Sequence, residues 1–516
     1  MITEKLNTKR ISGTLLMSVA AMAVNYLISL VLTGYITENI GADAYGFVTL
    51  AKTISNYAII FTSCLNSYAS RFITVSYHKN DMSKANSYYS SVFYANAALS
   101  VVVLLISGIA IVFLDKLLVV PESLLNEVRI LLLLDILNYM LLATGSCFSA
   151  FAYISDRLDV MNAVKFAAYS IEALILIALF GCLEPSIVYV GVALLASSVI
   201  LIAANILITR RLVPLLSLKR TFFKMSAVKD LVVSGIWNSI NSIGNLLQSG
   251  LDLIVSNLML SATAMGQISI VKTLSTVFAT LYQLLAAPFH PQLLKSYSNG
   301  DKEGVIRTMK ISIKLSGFFA AVIFAGFVGF GKMYYTLWTP SQDISLLYYL
   351  TLITFLGSII EAVAFPLFYA YTLTLKNSVP CFVTIISGLL NVGGMFVLIR
   401  YFDFGAYAVV LTTTVLGFGT YFVFTPIYAG KCLGCSAREF YPTMMRVVAI
   451  GFLMALIALP LSELQLHVSW SVLFASAALF TIIALPVYFF LVFNKAERNS
   501  ILLKFKIKKG GGSKCH

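Results

Sequence analysis

The chain has 516 residues, 59% of them hydrophobic and only 11% charged, with 36 Lys and Arg against 22 Asp and Glu and a formal charge of +14. So little charge cannot coat a soluble protein of this length, and apolar runs long enough to cross a bilayer recur from end to end. The runs are continuous rather than alternating, which argues against a β-barrel, and the positive charge reads as loop charge beside a membrane rather than as a footprint for nucleic acid. The predicted class is all-α: a polytopic membrane protein of about 14 transmembrane helices.

The polar start, MITEKLNTKR, runs into a long apolar segment without a small-residue cleavage site. That segment reads as a first spanning helix and not as a removable signal. The predicted spans cover residues 11–36, 46–77, 90–114, 129–153, 162–183, 186–208, 231–257, 266–289, 311–334, 345–372, 379–400, 404–429, 444–462 and 469–493. With both termini cytoplasmic, the inner segments gather most of the Lys and Arg, as the positive-inside rule requires. The inner loop bearing Arg210, Arg211, Lys219, Arg220, Lys224 and Lys229 is basic, while outer loops carry Glu38, Asp43, Glu122, Glu127 and Asp343. Trp338 and Trp470 fall at external ends, where aromatic belts form. Pro288 and Pro366 are expected to kink spans 8 and 10. The tail SILLKFKIKK, with Lys504, Lys506, Lys508 and Lys509, alternates apolar and basic residues and reads as an interfacial anchor on anionic lipid.

Sliding the chain against itself gives one clear match, at a shift of about 220 residues. GADAYGFVTLAKTIS (41–55) aligns without gaps to SATAMGQISIVKTLS (261–275). Asn25, Leu27 and Ser29 meet Asn245, Leu247 and Ser249, and Phe148 and Ala150 meet Phe368 and Ala370. Two parallel six-helix repeats are therefore expected, forming a V-shaped pair of lobes. The expected division is an N-lobe at 1–210, a cytoplasmic connector at 211–230, a C-lobe at 231–430, and helices 13–14 with a basic tail at 431–516.

Lys52 and Lys272 occupy equivalent positions in this repeat, inside spans, roughly 9 Å below the external turn at 1.5 Å per residue. A buried ammonium is normally absent, paired or functional; the plainer account is snorkelling to the headgroups. Each lysine shares its helix face with polar residues: Thr49, Ser55, Asn56, Ser63 and Asn66 in one copy, Ser269, Ser275, Thr276, Thr280 and Gln283 in the other. Span 1 adds Ser18, Asn25 and Ser29; span 7 adds Asn238, Asn241, Ser242, Asn245, Gln248, Ser249 and Asp252. Such stripes serve as helix–helix glue or line a watery cavity. The preferred expectation is a cavity between the lobes whose two lysines attract anions, with Lys52, Lys272, Asn25, Asn245, Ser55, Asn56, Gln248 and Ser275 as substrate-binding candidates.

Of the in-span acids Asp135, Glu172, Asp252 and Glu361, Asp252 continues a polar stripe and is the candidate for coupling to Na⁺ or H⁺. The other three lack polar neighbours at helical spacing and are left open between pairing with lysines across helices and staying protonated. Cys432 and Cys435 form CLGC with no nearby histidine, weak evidence for metal or redox work. No P-loop, nucleophile triad or metal cluster is evident, so no enzyme, catalytic residue, metal or other cofactor is expected.

The span count, the repeats, the trailing helix pair and the G-A-D-A-Y-G-F-V-T-L-A stretch at 41–51 together resemble the oligosaccharide flippases of the multidrug/oligosaccharidyl-lipid/polysaccharide exporter superfamily, the polysaccharide and O-antigen type. The resemblance implies a V-shaped pair of lobes that moves a polyprenyl-pyrophosphate-linked glycan from the cytoplasmic to the outer leaflet of a bacterial inner membrane by alternating access. It also implies that Lys52 and Lys272 engage the anionic headgroup, and that a polysaccharide polymerase complex is a partner. Lysine at both places offers point charges rather than bidentate forks. The competing readings are a multidrug and toxin extrusion transporter, a lipid II flippase, and a non-transporting scaffold for an envelope polymer-synthesis complex.

Overall fold

The computed structural model describes residues 2–463, 467–495, 497 and 498. The basic segment 500–509 lies outside the described residues. An apolar chain in lipid must satisfy every backbone polar group internally, and helices do so within one segment. The described residues are accordingly helical, with no strand among them. Fourteen long helices follow one another: α1 (Ile2–Asn39), α2 (Ala42–His78), α3 (Met82–Val112), α4 (Leu125–Gly145), α5 (Leu158–Cys182), α6 (Val188–Leu212), α7 (Met225–Ser249), α8 (Ala262–Ala286), α9 (Lys302–Trp338), α10 (Ile344–Ala364), α11 (Ser378–Phe402), α12 (Ala406–Gly417), α13 (Tyr441–Ala458) and α14 (Trp470–Val492). Among the described residues, thirteen segments are long and apolar enough to cross a membrane. The one helix of the predicted set left out is α7, whose Asn238, Asn241, Asn245 and Gln248 dilute its apolar face.

Several spans are interrupted, two of them at proline. Short 3₁₀ turns at Ala287–Phe289 and Phe365–Phe368 carry Pro288 and Pro366, and a third, Ser146–Ala150, breaks the fourth span without a proline. The seventh span, expected to be continuous over 231–257, is broken: α7 ends at Ser249 and a separate helix starts at Asp252. The Tyr57 hydroxyl donates to the freed Gly250 carbonyl, and a side chain at Gly250 would meet the Leu246 carbonyl oxygen at 2.7 Å. A π-helical stretch, Phe418–Phe424, follows α12.

Two connections share one geometry. Between α2 and α3, the Asp81 amide donates to the Ser76 carbonyl (3.0 Å), Asn80 has φ 57°, and the Asp81 carboxylate caps the Lys84 amide (3.0 Å). Between α8 and α9, Asp301 bonds to Ser296 (3.0 Å), Gly300 has φ 72°, and Asp301 caps the Gly304 amide (2.8 Å). The left-handed residue is Asn in one and Gly in the other, the two types that tolerate it best.

Contact density separates two units, 1–270 with 380–405, and 271–379 with 406–516. These cuts do not follow the lobe boundaries expected from the sequence, because α7 and α11 pack into the first unit. Gly235 of α7 leaves no room beyond hydrogen against the Cys64 carbonyl of α2, and Gly388 of α11 sits against Leu247 and Gln248 of α7. Asn391 adds a hydrogen bond to the Gln248 carbonyl (2.7 Å). The first turns of α2 and α8 also meet in this unit, at glycines that the sequence match pairs. A Cβ at Gly46 would lie 2.9 Å from the Met265 methyl and 3.0 Å from Gly266 Cα; one at Gly266 would run into the Ala42 carbonyl oxygen.

In the second unit the trailing pair α13 and α14 packs on α9. Gly317 accommodates Val447, and the Tyr488 hydroxyl donates to the Lys314 carbonyl (2.7 Å). Lys314, whose side chain is 6% exposed, grips both Glu497 carboxylate oxygens at 2.7 and 2.6 Å.

Gly266→Ala is expected to cost about 2–3 kcal/mol through backbone overpacking, because neither chain can yield. Gly46→Ala, facing a flexible Met side chain as well, should cost less and be partly rescued by Met265→Ala. Thermal unfolding of detergent-purified variants measures both; equal, negligible losses would contradict the close crossing.

Candidate functional site

The polar face of α2 divides into two parts. Its later residues are consumed by neighbouring helices: Ser63 pairs with Ser239 of α7 (2.5 Å), and the Asn66 side-chain oxygen accepts from Asn96 of α3 (2.8 Å) and from Ser146 (3.1 Å). These are the contacts expected of polar glue between helices. The hydroxyls of Thr49 and Thr53 turn back onto their own helix. Lys52, Ser55 and Asn56 remain, and their surroundings are not uniformly apolar.

Asp135 of α4 is 4% exposed and accepts a hydrogen bond from Ser55, one turn along α2 from Lys52. Glu172 of α5 is 5% exposed and accepts from Ser197 of α6 (3.3 Å). The half-buried Lys52 ammonium stands within electrostatic reach of both carboxyls. Three helices thus bring one lysine and two carboxyl groups into a single region of the first unit. Bare carboxylates among apolar side chains would be costly, and a shared ammonium with hydroxyl donors offsets that cost. Asn138, one turn from Asp135 on the same helix face, is 5% exposed, and its side-chain oxygen receives no hydrogen bond.

The other candidates of this unit are spread along α1, α2, α7 and the helix that follows α7. Asn25 is half-buried in α1, and its carbonyl accepts from Ser29 (3.2 Å). Asn56 and Asn245 are exposed. Gln248 is buried, with its carbonyl taken by Asn391. Asp252 is 6% exposed in the first turn of the helix Asp252–Met259, with Tyr57 close enough to feel its charge. In the second unit, Lys272 is half-buried on α8, and Ser275 donates to the Val271 carbonyl (2.9 Å). Burial follows the same pattern at eight consecutive positions in 51–58 and 271–278: Lys52 and Lys272 are both half-buried, Asn56 and Thr276 both exposed. Glu361 of α10 faces Tyr282, a fully buried tyrosine of α8.

The lysine–carboxylate grouping was not visible in the sequence, because Lys52, Asp135 and Glu172 lie on three helices far apart in the chain. The buried Lys314–Glu497 pair was also missed, although Lys314 falls inside the predicted span 311–334; its partner lies beyond the last span, where no helical spacing points to it.

A family model described as polysaccharide biosynthesis protein matches residues 12–295, more than half of the chain. The chain belongs to this family. It is 27% identical over 496 residues to the uncharacterized membrane protein EpsK of Bacillus subtilis strain 168, covering 96% of this chain and 97% of that protein. Its fold is similar to that of the lipid II flippase MurJ in an inward closed conformation, with a TM-score of 0.65 at 13% identity over 92% of this chain and 98% of that one. It is also similar to an inward-facing multidrug resistance MATE family transporter of the MOP superfamily, with a TM-score of 0.63 at 14% identity, over 80% of this chain and 98% of that one.

Replacing Lys52 by Met leaves two buried carboxyls without their cation, and should cost about 1–3 kcal/mol, below the range for a fully buried pair because Lys52 is half-exposed. The triple variant Lys52→Met/Asp135→Asn/Glu172→Gln, which removes all three charges, should regain most of that loss. A thermodynamic cycle on thermal unfolding checks the coupling; a harmless single Lys52→Met would contradict it.

Proposed function

We propose that this chain is a flippase that carries a polyprenyl-pyrophosphate-linked oligosaccharide from the cytoplasmic to the outer leaflet of a bacterial inner membrane by alternating access, for surface polysaccharide synthesis. The observation that carries the reading is the matched pair Lys52 and Lys272, two in-span ammonium groups at equivalent positions with equivalent burial. A pyrophosphate head is a dense anion that must leave water to cross, and lysines held at depth supply the compensating charge. The lipid tail stays in the bilayer while exposed amides such as Asn56 and Asn245 offer hydrogen bonds to sugar hydroxyls.

Family membership ties the transport to polysaccharide synthesis. The shared connection geometry at Asp81 and Asp301 supports two copies of one six-helix design. Export of cationic drugs fits less well, because Asp135 and Glu172, the acids best placed to attract a cation, already face Lys52. A polysaccharide polymerase complex is the proposed partner that consumes the flipped lipid.

Reconstituted liposomes loaded with a polyprenyl-pyrophosphate oligosaccharide test the reading. Lys272→Ala and the charge-free triple variant at Lys52, Asp135 and Glu172 should each slow flipping by about tenfold or more, the value of one lost charge-assisted hydrogen bond. Full activity in both variants at wild-type protein levels would refute the role of the lysines.

A further inference from the structure

We propose that the connector between α6 and α7 is a docking surface for the anionic phospholipid headgroups of the cytoplasmic leaflet. The inference goes beyond the transport reading and does not depend on what Lys52 and Lys272 bind.

The connector leaves α6 at Leu212 and enters α7 at Met225, with one 3₁₀ turn at Arg220–Phe222. A stretch with so little regular structure must find partners for its backbone elsewhere. It finds them on the first turns of α3. The Ser217 amide donates to the Asn86 side-chain oxygen (2.8 Å), the Lys219 amide to the Ser90 hydroxyl (3.3 Å) and the Lys224 amide to the Ser91 hydroxyl (3.0 Å). Asn86, Ser90 and Ser91 are all buried. Val213 is buried too, and Leu216 and Leu218 pack against the same apolar core. Backbone and alternate apolar side chains are therefore fixed before any ligand arrives.

The outward side is basic and apolar together. Lys219, Arg220 and Lys224 are exposed, as are Arg210 and Arg211 at the end of α6 and Lys229 near the start of α7. Between them stand Leu215, 59% exposed, and Met225, 70% exposed, with Phe223 held edge-on against Tyr94 of α3. Among the described residues, no ion pair involves any of these basic side chains. Asp230, the acid next to them in sequence, accepts a hydrogen bond from Tyr88 of α3 (3.0 Å). By contrast, Lys84, Arg157 and Lys310 are each paired with a carboxylate.

The height of this surface follows from its partner. Asn86, Ser90 and Ser91 stand where the apolar run of α3 begins, so the connector lies where the chain enters the bilayer. Loops this basic belong on the cytoplasmic side. At that level lipid phosphates meet the first methylenes of the acyl chains. Lysine and arginine heads suit the phosphates, and Leu215, Phe223 and Met225 suit the acyl boundary. An acidic soluble partner would answer the charge alone; an anionic bilayer answers both features. Because α3 already holds the backbone, little ordering entropy opposes binding.

Photolabelling of the full-length protein in phosphatidylcholine liposomes tests this. The probe is phosphatidylglycerol with a photoreactive headgroup, compared with a phosphatidylcholine analogue, and cross-links are mapped by peptide mass. The anionic probe should label residues 212–225 in preference to the neutral one. Lys219→Gln/Arg220→Gln/Lys224→Gln should cut that labelling by at least about threefold, since each cation near an anionic surface shifts binding several-fold. Lys219→Arg/Lys224→Arg should retain it. Lys79→Gln/Lys295→Gln/Lys431→Gln, which neutralises three exposed lysines on other segments, should leave it unchanged. Ser90→Ala/Ser91→Ala keeps every charge but frees the backbone, and should lower labelling by about twofold. In the unaltered protein, salt of about 1 M shortens the screening length to about 3 Å and should suppress the preference. Equal labelling by both probes in the wild type would overturn the proposal and leave the surface to an acidic protein. Full labelling in the connector glutamine variant, or an equal loss in the Lys79, Lys295 and Lys431 variant, would overturn it as well. Labelling indifferent to salt would do the same, and an unchanged Ser90/Ser91 variant would remove α3 from the account.

Discussion

One ammonium set against two buried carboxyls organises the first unit of this protein. Lys52 cannot sit inside an apolar helix bundle without compensation, and Asp135 and Glu172 cannot either. Each justifies the others, and together they tie α2, α4 and α5 to a common electrostatic point, with Ser55 and Ser197 bonded to the carboxyls. The arrangement also qualifies the simple picture of a positively charged vestibule. An anion drawn to Lys52 also meets the Asp135 carboxyl, which Ser55 holds one turn along α2.

The depth of that point is set by backbone packing at the start of the helix. Most of α2 from Ala42 to Ala51 is buried, and Gly46 and Gly266 allow the first turns of α2 and α8 to approach at backbone distance. Past Ala51 burial loosens, and Lys52 is the first residue beyond the tightly packed block. Val271 and Lys272 repeat that transition in the second unit. The lysines thus stand where a sealed stretch gives way to a more open one, the position from which a flexible stem can reach alternative partners.

Most of the architecture was legible in the sequence because it is written locally. Long apolar runs fixed the helices, Pro288 and Pro366 fell in the 3₁₀ breaks, and the Lys-Thr motif marked two positions whose burial matches. What was not legible depends on contacts across helices. Asp135 and Glu172 have no polar neighbours at helical spacing, so their partnership with Lys52 leaves no periodic trace. Ser63 and Asn66 look identical in pattern to Asn56, yet they bond to α7 and α3 while Asn56 is exposed. The break at Gly250 was hidden because glycine is common in membrane helices; only Tyr57, from another helix, shows where the freed carbonyl goes. The expected cut at 211–230 followed chain order, whereas the contacts set α7 against α2, and α11 against α7.

The most direct test is an experimental structure of the protein with a polyprenyl-pyrophosphate glycolipid bound. The account predicts phosphate oxygens within hydrogen-bond distance of the Lys52 or the Lys272 ammonium, with Lys52 turned away from Asp135 and Glu172. A headgroup seated elsewhere, with Lys52 still directed at its two carboxyls, would contradict it.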